Sequence, residues 1–339
     1  MRYKILLLPL LIFCFDLANG QDIHFTQFYN TPLTVSPALT GIFNGDQRYI
    51  GVYRGQWYSA NSPFSTFYGM FDQKIYNRKL GNSFLAAGGA LGYDRAGDSK
   101  LSLFNLSLNG SYTYAIDREN FLTGGLMLGV AQRSFKYDNL LWDNQWDGDR
   151  ADPNLSPNEG FDDSGYIFAD IGIGVNYRGQ KLASRSTLDI GASLSHLNKP
   201  NQSFADSEVS RLEPRLSTYI IQNLQISNRF DVYWNGLAQF QNNYLEGVGG
   251  LGGRLHLDQR RGRELAVQLG MAFRFNAIGD AAIAAAELHY QYWRFGLSYD
   301  INVSGLKIAT NRNGGPEVTV RYIVHFVKPI PVFRICPII

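Results

Sequence analysis

Residues 264–275, ELAVQLGMAFRF, alternate strictly between large apolar side chains and polar or small ones. The apolar set comprises Leu265, Val267, Leu269, Met271, Phe273 and Phe275. Because successive side chains of a β-strand point to opposite faces, this period of two predicts a strand with one apolar face. Such a face has to be covered, either by a protein core or by lipid.

The same period recurs along the chain and predicts about fourteen strands, with no convincing amphipathic helix. The segments are 48–57, 64–74, 83–94, 100–115, 120–136, 165–177, 186–196, 213–226, 229–242, 244–257, 263–275, 281–290, 292–303 and 316–326. An even number of strands of roughly ten residues, each with one apolar face, is typical of an outer-membrane β-barrel. The sequence therefore predicts an all-β protein, a transmembrane barrel of about 14 antiparallel strands.

A soluble β-sandwich or lipocalin-like barrel, with its apolar face inward, is the alternative fold. The polar faces are rich in Gly, Ser, Asn and Ala, whereas a solvated outer face more often carries Lys and Glu. Aromatic residues also lie near the strand ends, as in the aromatic belts of membrane proteins. If the N-terminus is periplasmic, the longest connections, 137–164, 197–212 and 304–315, all lie outside the cell, which also favours the membrane barrel.

The N-terminus has the pattern of a signal peptide. Arg2 and Lys4 precede the apolar residues 5–15, and small residues at 18–20 precede Gln21. The predicted organisation is a signal peptide at 1–20, an N-terminal periplasmic or lumenal segment at 21–47, a barrel at 48–326 and a C-terminal periplasmic tail at 327–339. Cys336 would then be the only cysteine of the mature chain, which excludes an intramolecular disulfide.

Composition and motifs argue against several functions. The 31 basic and 29 acidic residues are balanced, so no nucleic-acid partner is expected. A hydrolase could use His289, beside Glu287, or His325, on the face of Arg321 and Glu317. No G-x-S-x-G nucleophile motif is present, however, and polar residues lining a lumen are the simpler interpretation. The chain has no nucleotide-binding loop, and we expect a protein without enzymatic activity, cofactor or catalytic residues.

The segment 138–163 is rich in acidic residues and holds two tryptophans. Asp143, Asp147 and Asp149 are a weak calcium candidate, since their spacing does not follow the EF-hand loop. A solvated acidic loop is the simpler alternative. Tryptophan is enriched where partners dock, and the tail at 327–339 carries apolar side chains that need cover. The predicted partner-binding residues are Trp142, Trp146, Asp147, Asp149, Phe161 and Phe333.

Glycine is frequent on what the alternation predicts to be the lumen side. The set is Gly88, Gly89, Gly172, Gly174, Gly247, Gly249, Gly250, Gly252 and Gly253. Glycine allows a strand to bend and leaves room for a close backbone approach. Two interpretations stay open: curvature of the barrel, or space for a polypeptide segment inside it.

Several motifs resemble the PorP/SprF family of the type IX secretion system of Bacteroidota. They are Phe25 to Phe28 (FTQF), Asn30 to Leu33 (NTPL), Ser36 to Gly41 (SPALTG), Tyr53 to Trp57 (YRGQW), SPFSTFYGMFDQKI from Ser62, Trp142 to Glu159, and Pro331 to Pro337 (PVFRICP). The resemblance runs from Gln21 to the C-terminus and is strongest in the first fifty residues after Gly20. Only Ile338 and Ile339 depart from the expected, more polar ending.

The resemblance implies an outer-membrane protein that assists export of proteins with a C-terminal sorting domain. Some members receive the sorting domain of a large surface adhesin, including adhesins used in gliding, and anchor it. Other members associate with the periplasmic ring of the machine. The expected partners are therefore this sorting domain, possible ring or translocon components, and membrane lipid. The rival function is a diffusion channel for small or apolar solutes, which predicts an open lumen.

Overall fold

The computed structural model describes residues 23–56, 63–97, 99–136, 143–146, 148–150, 152, 155, 165–204, 210–260, 262–276, 281–303 and 313–326. Fourteen antiparallel strands form a closed barrel, in which each strand pairs with its neighbours in sequence and the last pairs with the first. The strands are β1 (Gln47–Gln56), β2 (Phe64–Ile75), β3 (Phe84–Ala96), β4 (Leu101–Ala115), β5 (Asn120–Ser134), β6 (Gly165–Gln180), β7 (Thr187–Ser195), β8 (Arg215–Gln225), β9 (Phe230–Gln241), β10 (Tyr244–Asp258), β11 (Leu265–Phe275), β12 (Ala281–Tyr290), β13 (Trp293–Asn302) and β14 (Asn313–Val324).

The predicted strands are confirmed, and the differences lie at their ends. β6 continues to Gln180 because Gly179 and Gln180 pair with Leu188 and Thr187 of β7. β14 begins at Asn313, three residues before its predicted start at 316. A strand ends where its backbone hydrogen bonds to the adjacent strand end. The alternation of side chains, from which the strands were predicted, contains no information about those hydrogen bonds.

The apolar faces of the strands point outward, and the polar faces point into the lumen. On β11, Leu269 is 62% exposed, whereas the adjacent Gln268 is 2% exposed. The same alternation holds on β13, where Leu297 is 56% exposed and Ser298 is 1% exposed. An apolar outer surface around a polar interior is the arrangement of a membrane barrel and the reverse of a soluble one.

The two ends of the barrel differ in the length of their connections. The longer ones, 135–164, 196–214 and 303–312, lie at the end that we call the loop end. The opposite end, the turn end, has short connections such as 116–119. There, Oδ1 of Asp117 accepts hydrogen bonds from the backbone amides of Glu119 and Asn120 at 2.7 and 2.8 Å. The Asn120 side-chain amide, with these amides, lowers the pKa of the Asp117 carboxyl.

The helices are few and short, as the sequence predicts. Among the described residues, none is long and apolar enough to cross a membrane. In the part of the chain that the structure describes, one α-helix, α1, spans Pro32–Val35, and short 3-10 helices span Phe28–Asn30, Pro37–Leu39, Arg78–Leu80 and Asp143–Gln145.

Candidate functional site: the lumen and the loop end

Residues 23–46 lie inside the barrel, and we call this segment the plug. Its helical turns begin at prolines, Pro32 and Pro37, whose fixed φ and missing N–H suit the first helical position. Between them, Oγ of Ser36 accepts a hydrogen bond from the amide of Ala38 at 3.2 Å. The plug turns again at Gly41, where φ is +76°, a conformation that glycine adopts without strain. It then leads into β1 at the turn end.

Apolar side chains fix the plug against two parts of the barrel wall. Phe25 and Leu33 pack against β1, β2 and β3, with the Phe25 ring edge-on to Tyr68 at 5.3 Å between centroids. On the other side, Phe28 and Leu39 belong to a cluster with Tyr219, at the wall of β8 to β10. The segment is therefore packed as a core is, with each of these six side chains less than 7% exposed.

Near the loop end, carboxylates of the barrel wall accept hydrogen bonds from the plug. Glu317 accepts hydrogen bonds from the amides of Thr26 and Gln27, both at 2.8 Å. Asp300 accepts one from the Thr26 hydroxyl at 2.9 Å. Asp300 also pairs with Arg54 at 2.9 Å and Arg274 at 2.7 Å, so its charge is compensated in the buried interior.

Closer to the turn end, a second set of contacts follows the same pattern. Oδ2 of Asp72 accepts hydrogen bonds from the Gly41 amide and from Nη2 of Arg48, both at 2.7 Å. Oε1 of Glu287 accepts one from Nδ2 of Asn30 at 2.9 Å. Burial, reinforced by the negative charge of Glu287, raises the pKa of the Tyr29 hydroxyl of the plug well above its usual value.

Glycines of the wall make room for the plug. A Cβ at Gly125 would lie 2.4 Å from the backbone of Pro37 and Ala38, and one at Gly174 would lie 2.4 Å from Oγ of Ser36. Space for a lodged polypeptide is thus one of the reasons for lumenal glycines, and the polypeptide is the chain's own N-terminal segment.

Part of the predicted lumenal glycine set was wrong. On β10 the inward positions include Glu246, Val248 and Arg254, so Gly250 and Gly252 face the lumen, whereas three glycines of this strand face outward. The outward-facing members of the set are Gly89, Gly247, Gly249 and Gly253. The faces of a strand are assigned from the alternation of apolar and polar side chains. A run of small residues such as GVGGLGG has almost no such alternation, so its inward and outward positions cannot be distinguished by this pattern.

Of the predicted partner-binding residues, the structure describes Trp146 and Asp149, both exposed at the loop end, with Trp146 59% exposed. Beside them, Nε2 of the buried Gln145 donates a hydrogen bond to the carbonyl of Leu155 at 2.9 Å. Trp142, Asp147, Phe161 and Phe333 lie outside the described residues. The contacts expected of this set therefore stay a prediction.

The calcium candidate also stays a prediction, because Asp147 is outside the described residues and only the backbone of Asp143 is described. Within the described part of the chain, no group of three or more acidic, His or Cys side chains could hold a metal ion.

Of the two hydrolase candidates, the structure places His289 on the barrel wall and His325 outside it. Nε2 of His289 lies 2.9 Å from Oε2 of Glu287, and its cross-strand partners are Ala266 and Arg294, neither of which is a nucleophile. His325 lies beyond the end of β14, exposed, with its ring 5.7 Å from that of Tyr292.

The sequence profile described as "Type IX secretion system membrane protein PorP/SprF" matches residues 17–322. The chain belongs to this family. The motifs FTQF, NTPL and SPALTG, which carry the resemblance, are the residues of the plug, and YRGQW contains Arg54, which binds it. Among curated proteins, no sequence matches this PorP/SprF member.

Solved structures share the barrel architecture of this PorP/SprF protein. A FadL homologue of Pseudomonas aeruginosa matches at 10% identity and a TM-score of 0.51, covering 86% of this chain and 93% of that one. The toluene transporter TodX of Pseudomonas putida matches at 12% identity and 0.46, covering 86% and 91%. The transport unit of the autotransporter AIDA-I of Escherichia coli matches at 12% and 0.41, covering 90% and 100%. The fold and the family both fit an outer-membrane location.

Proposed function

We propose that this PorP/SprF protein is a non-enzymatic outer-membrane component of type IX secretion. It binds the C-terminal sorting domain of a secreted protein, such as a large surface adhesin, and anchors that protein or assists its export. The supporting observation is the filled lumen. A wall that holds its own N-terminal segment through Glu317, Asp300, Glu287 and Asp72 leaves recognition to the ends of the barrel.

The loop end supplies the surface for this recognition. The longer connections meet there, and Trp146 projects from one of them with 59% of its side chain exposed. An exposed tryptophan beside acidic residues has the composition of a docking site, since tryptophan is frequent among the residues that dominate binding energies. With the N-terminus periplasmic, this end faces the outside of the cell.

The filled lumen counts against the diffusion-channel alternative. Solute passage along the barrel axis would require the plug to leave buried contacts with carboxylates and apolar side chains on several strands. The proposal therefore predicts negligible ion conductance for the purified protein in planar bilayers.

The test is a mild-detergent pull-down of the tagged full-length protein from its native membrane, with mass spectrometry of the recovered proteins. We expect a large protein with a β-rich C-terminal sorting domain. Trp146→Ala should reduce its recovery about tenfold or more, as for a dominant contact worth about 2 kcal/mol. The matched control is Leu182→Ala, at an equally exposed apolar residue (64%) of the turn end.

Recovery of the barrel alone, together with conductance in bilayers, would refute the proposal in favour of a channel. Recovery of ring components without a sorting-domain protein would instead identify a structural subunit of the secretion machine.

A further inference from the structure

Two arginines that face the lumen near the turn end make no salt bridge with any residue that the structure describes. Arg294 of β13 and Arg321 of β14 are direct cross-strand partners. Both alternate with outward-facing aromatic residues, Trp293 and Tyr322 among them, so both side chains lie on the lumen side. Among the described residues, neither makes an ion pair, and the Nε of Arg321 is buried without a hydrogen-bond partner.

This pair contrasts with five other arginines of the barrel. Each of the five lies within 3.1 Å of a carboxylate: Arg48 with Asp72, Arg54 and Arg274 with Asp300, Arg178 with Asp189, and Arg185 with Asp231. Like charges directly opposite each other on neighbouring strands destabilise a sheet, so a pair without a salt bridge needs a physical reason.

The carboxylate of the neighbouring register row is already engaged elsewhere. Glu287 lies opposite Gly296, one row from Arg294. Its Oε1 accepts a hydrogen bond from Asn30 of the plug, and its Oε2 lies 2.9 Å from His289. Glu287 therefore accepts no hydrogen bond from either guanidinium group.

The location of Arg294 and Arg321 and the donor geometry of their guanidinium groups indicate which ligands they can bind. Both side chains are only partly buried, and the pair lies at the start of β13 and near the end of β14, close to the turn end. A guanidinium presents its N–H donors as a planar fork that matches phosphate and carboxylate oxygens.

We propose that Arg294 and Arg321 form an oxyanion-binding site at the turn-end mouth of the lumen. The ligand group is a phosphate or a carboxylate, held by donors from both guanidinium groups. Its negative charge offsets the repulsion between the two arginines, so occupancy stabilises the closure between β13 and β14. This site is separate from the loop end at which the sorting domain is proposed to bind.

The test uses the purified full-length protein in detergent and inorganic phosphate as the probe. Titration at constant ionic strength, with chloride as the replaced anion, should raise the midpoint of thermal unfolding. Phosphate affinity from calorimetry should fall at least tenfold in Arg294→Gln and in Arg321→Gln. Arg321→Lys, which keeps the charge but loses the fork, should bind with intermediate affinity.

Arg260→Gln is the matched control, because Arg260 lies at the same end of the barrel, exposed and paired with Asp258. It removes the same charge and should leave phosphate binding unchanged. A parallel titration with acetate distinguishes the two sources of the ligand: binding of acetate identifies a carboxylate group, and binding of phosphate alone identifies a phosphate group.

Folding of the variants provides a second measurement. Because Arg294→Gln removes a like-charge contact, its unfolding midpoint without phosphate should equal or exceed that of the wild type. The proposal is overturned if neither anion shifts the midpoint, or if the two glutamine variants bind phosphate as the wild type does.

Discussion

Glu317 and Thr26 lie 291 positions apart in the sequence, yet Oε2 of Glu317 accepts a hydrogen bond from the Thr26 amide at 2.8 Å. Glu317 is fully buried, and Oε1 accepts the next amide, that of Gln27. One carboxylate of the last strand therefore holds the beginning of the described chain inside the barrel. This contact makes the interior of the barrel a packed core instead of an aqueous pore.

Glu317→Ala should loosen the plug without opening the barrel. The substitution leaves two buried amides without an acceptor and Arg54 with one carboxylate fewer, a change that costs about 3–5 kcal/mol for buried charged partners. Hydrogen exchange should accelerate in residues 23–46 and not in the strands. Glu264→Ala, in an exposed turn, is the control, and unchanged exchange in the plug of the Glu317 variant would contradict this account.

Gly125→Ala should destabilise the protein, whereas Gly124→Ala should not. The two glycines are adjacent on β5, but a Cβ at Gly125 meets the plug backbone at 2.4 Å and one at Gly124 meets nothing within 4 Å. Overpacking of this kind costs about 1–3 kcal/mol. Denaturant unfolding in detergent measures the difference. Equal stabilities would mean that the plug shifts readily to accept a methyl group.

Arg48→Met should be strongly destabilising, and adding Asp72→Asn should restore most of the loss. Arg48 and Asp72 form a buried ion pair at 2.7 Å, with side chains 4% and 1% exposed. Removing one partner leaves an uncompensated charge, at a cost of about 3–5 kcal/mol. Asparagine at 72 is neutral but still accepts the hydrogen bond from Gly41. A double-mutant cycle of unfolding free energies checks this, and simple additivity would refute it.

Leu269→Arg should destabilise the barrel in lipid vesicles by about 2–4 kcal/mol, the cost of a cation near the middle of a bilayer. Leu182→Arg is the control, because Leu182 is equally exposed but lies in a turn outside the strands. Urea unfolding from vesicles measures both. A neutral effect at Leu269 would show that the apolar face does not contact lipid.

The strands and their orientation could be predicted because they depend on local chemistry. Alternation in ELAVQLGMAFRF assigns Leu269 outward and Gln268 inward from sequence alone, and the structure confirms both. Where side chains lack contrast, as in the glycine-rich part of β10, the same reasoning assigned the wrong face to Gly247, Gly249 and Gly253.

The plug could be anticipated only in outline, as a periplasmic or lumenal segment at 21–47 and as one of two reasons for lumenal glycines. Its residues have no period of two, and its helical turns are too short to give a helical period. The motifs FTQF, NTPL and SPALTG marked the segment as distinctive but said nothing about which strands it contacts.

The sequence by itself determined a membrane barrel of fourteen strands, because pleated geometry converts a period of two directly into an apolar outer face and a polar inner one. Tertiary structure alone decided what fills that inner face and which charges meet there. Glu317 with Thr26, Asp72 with Gly41, and Arg294 beside Arg321 are brought together by strand register and closure of the barrel. Their separation in the chain leaves no local pattern, so only the closed fold reveals them.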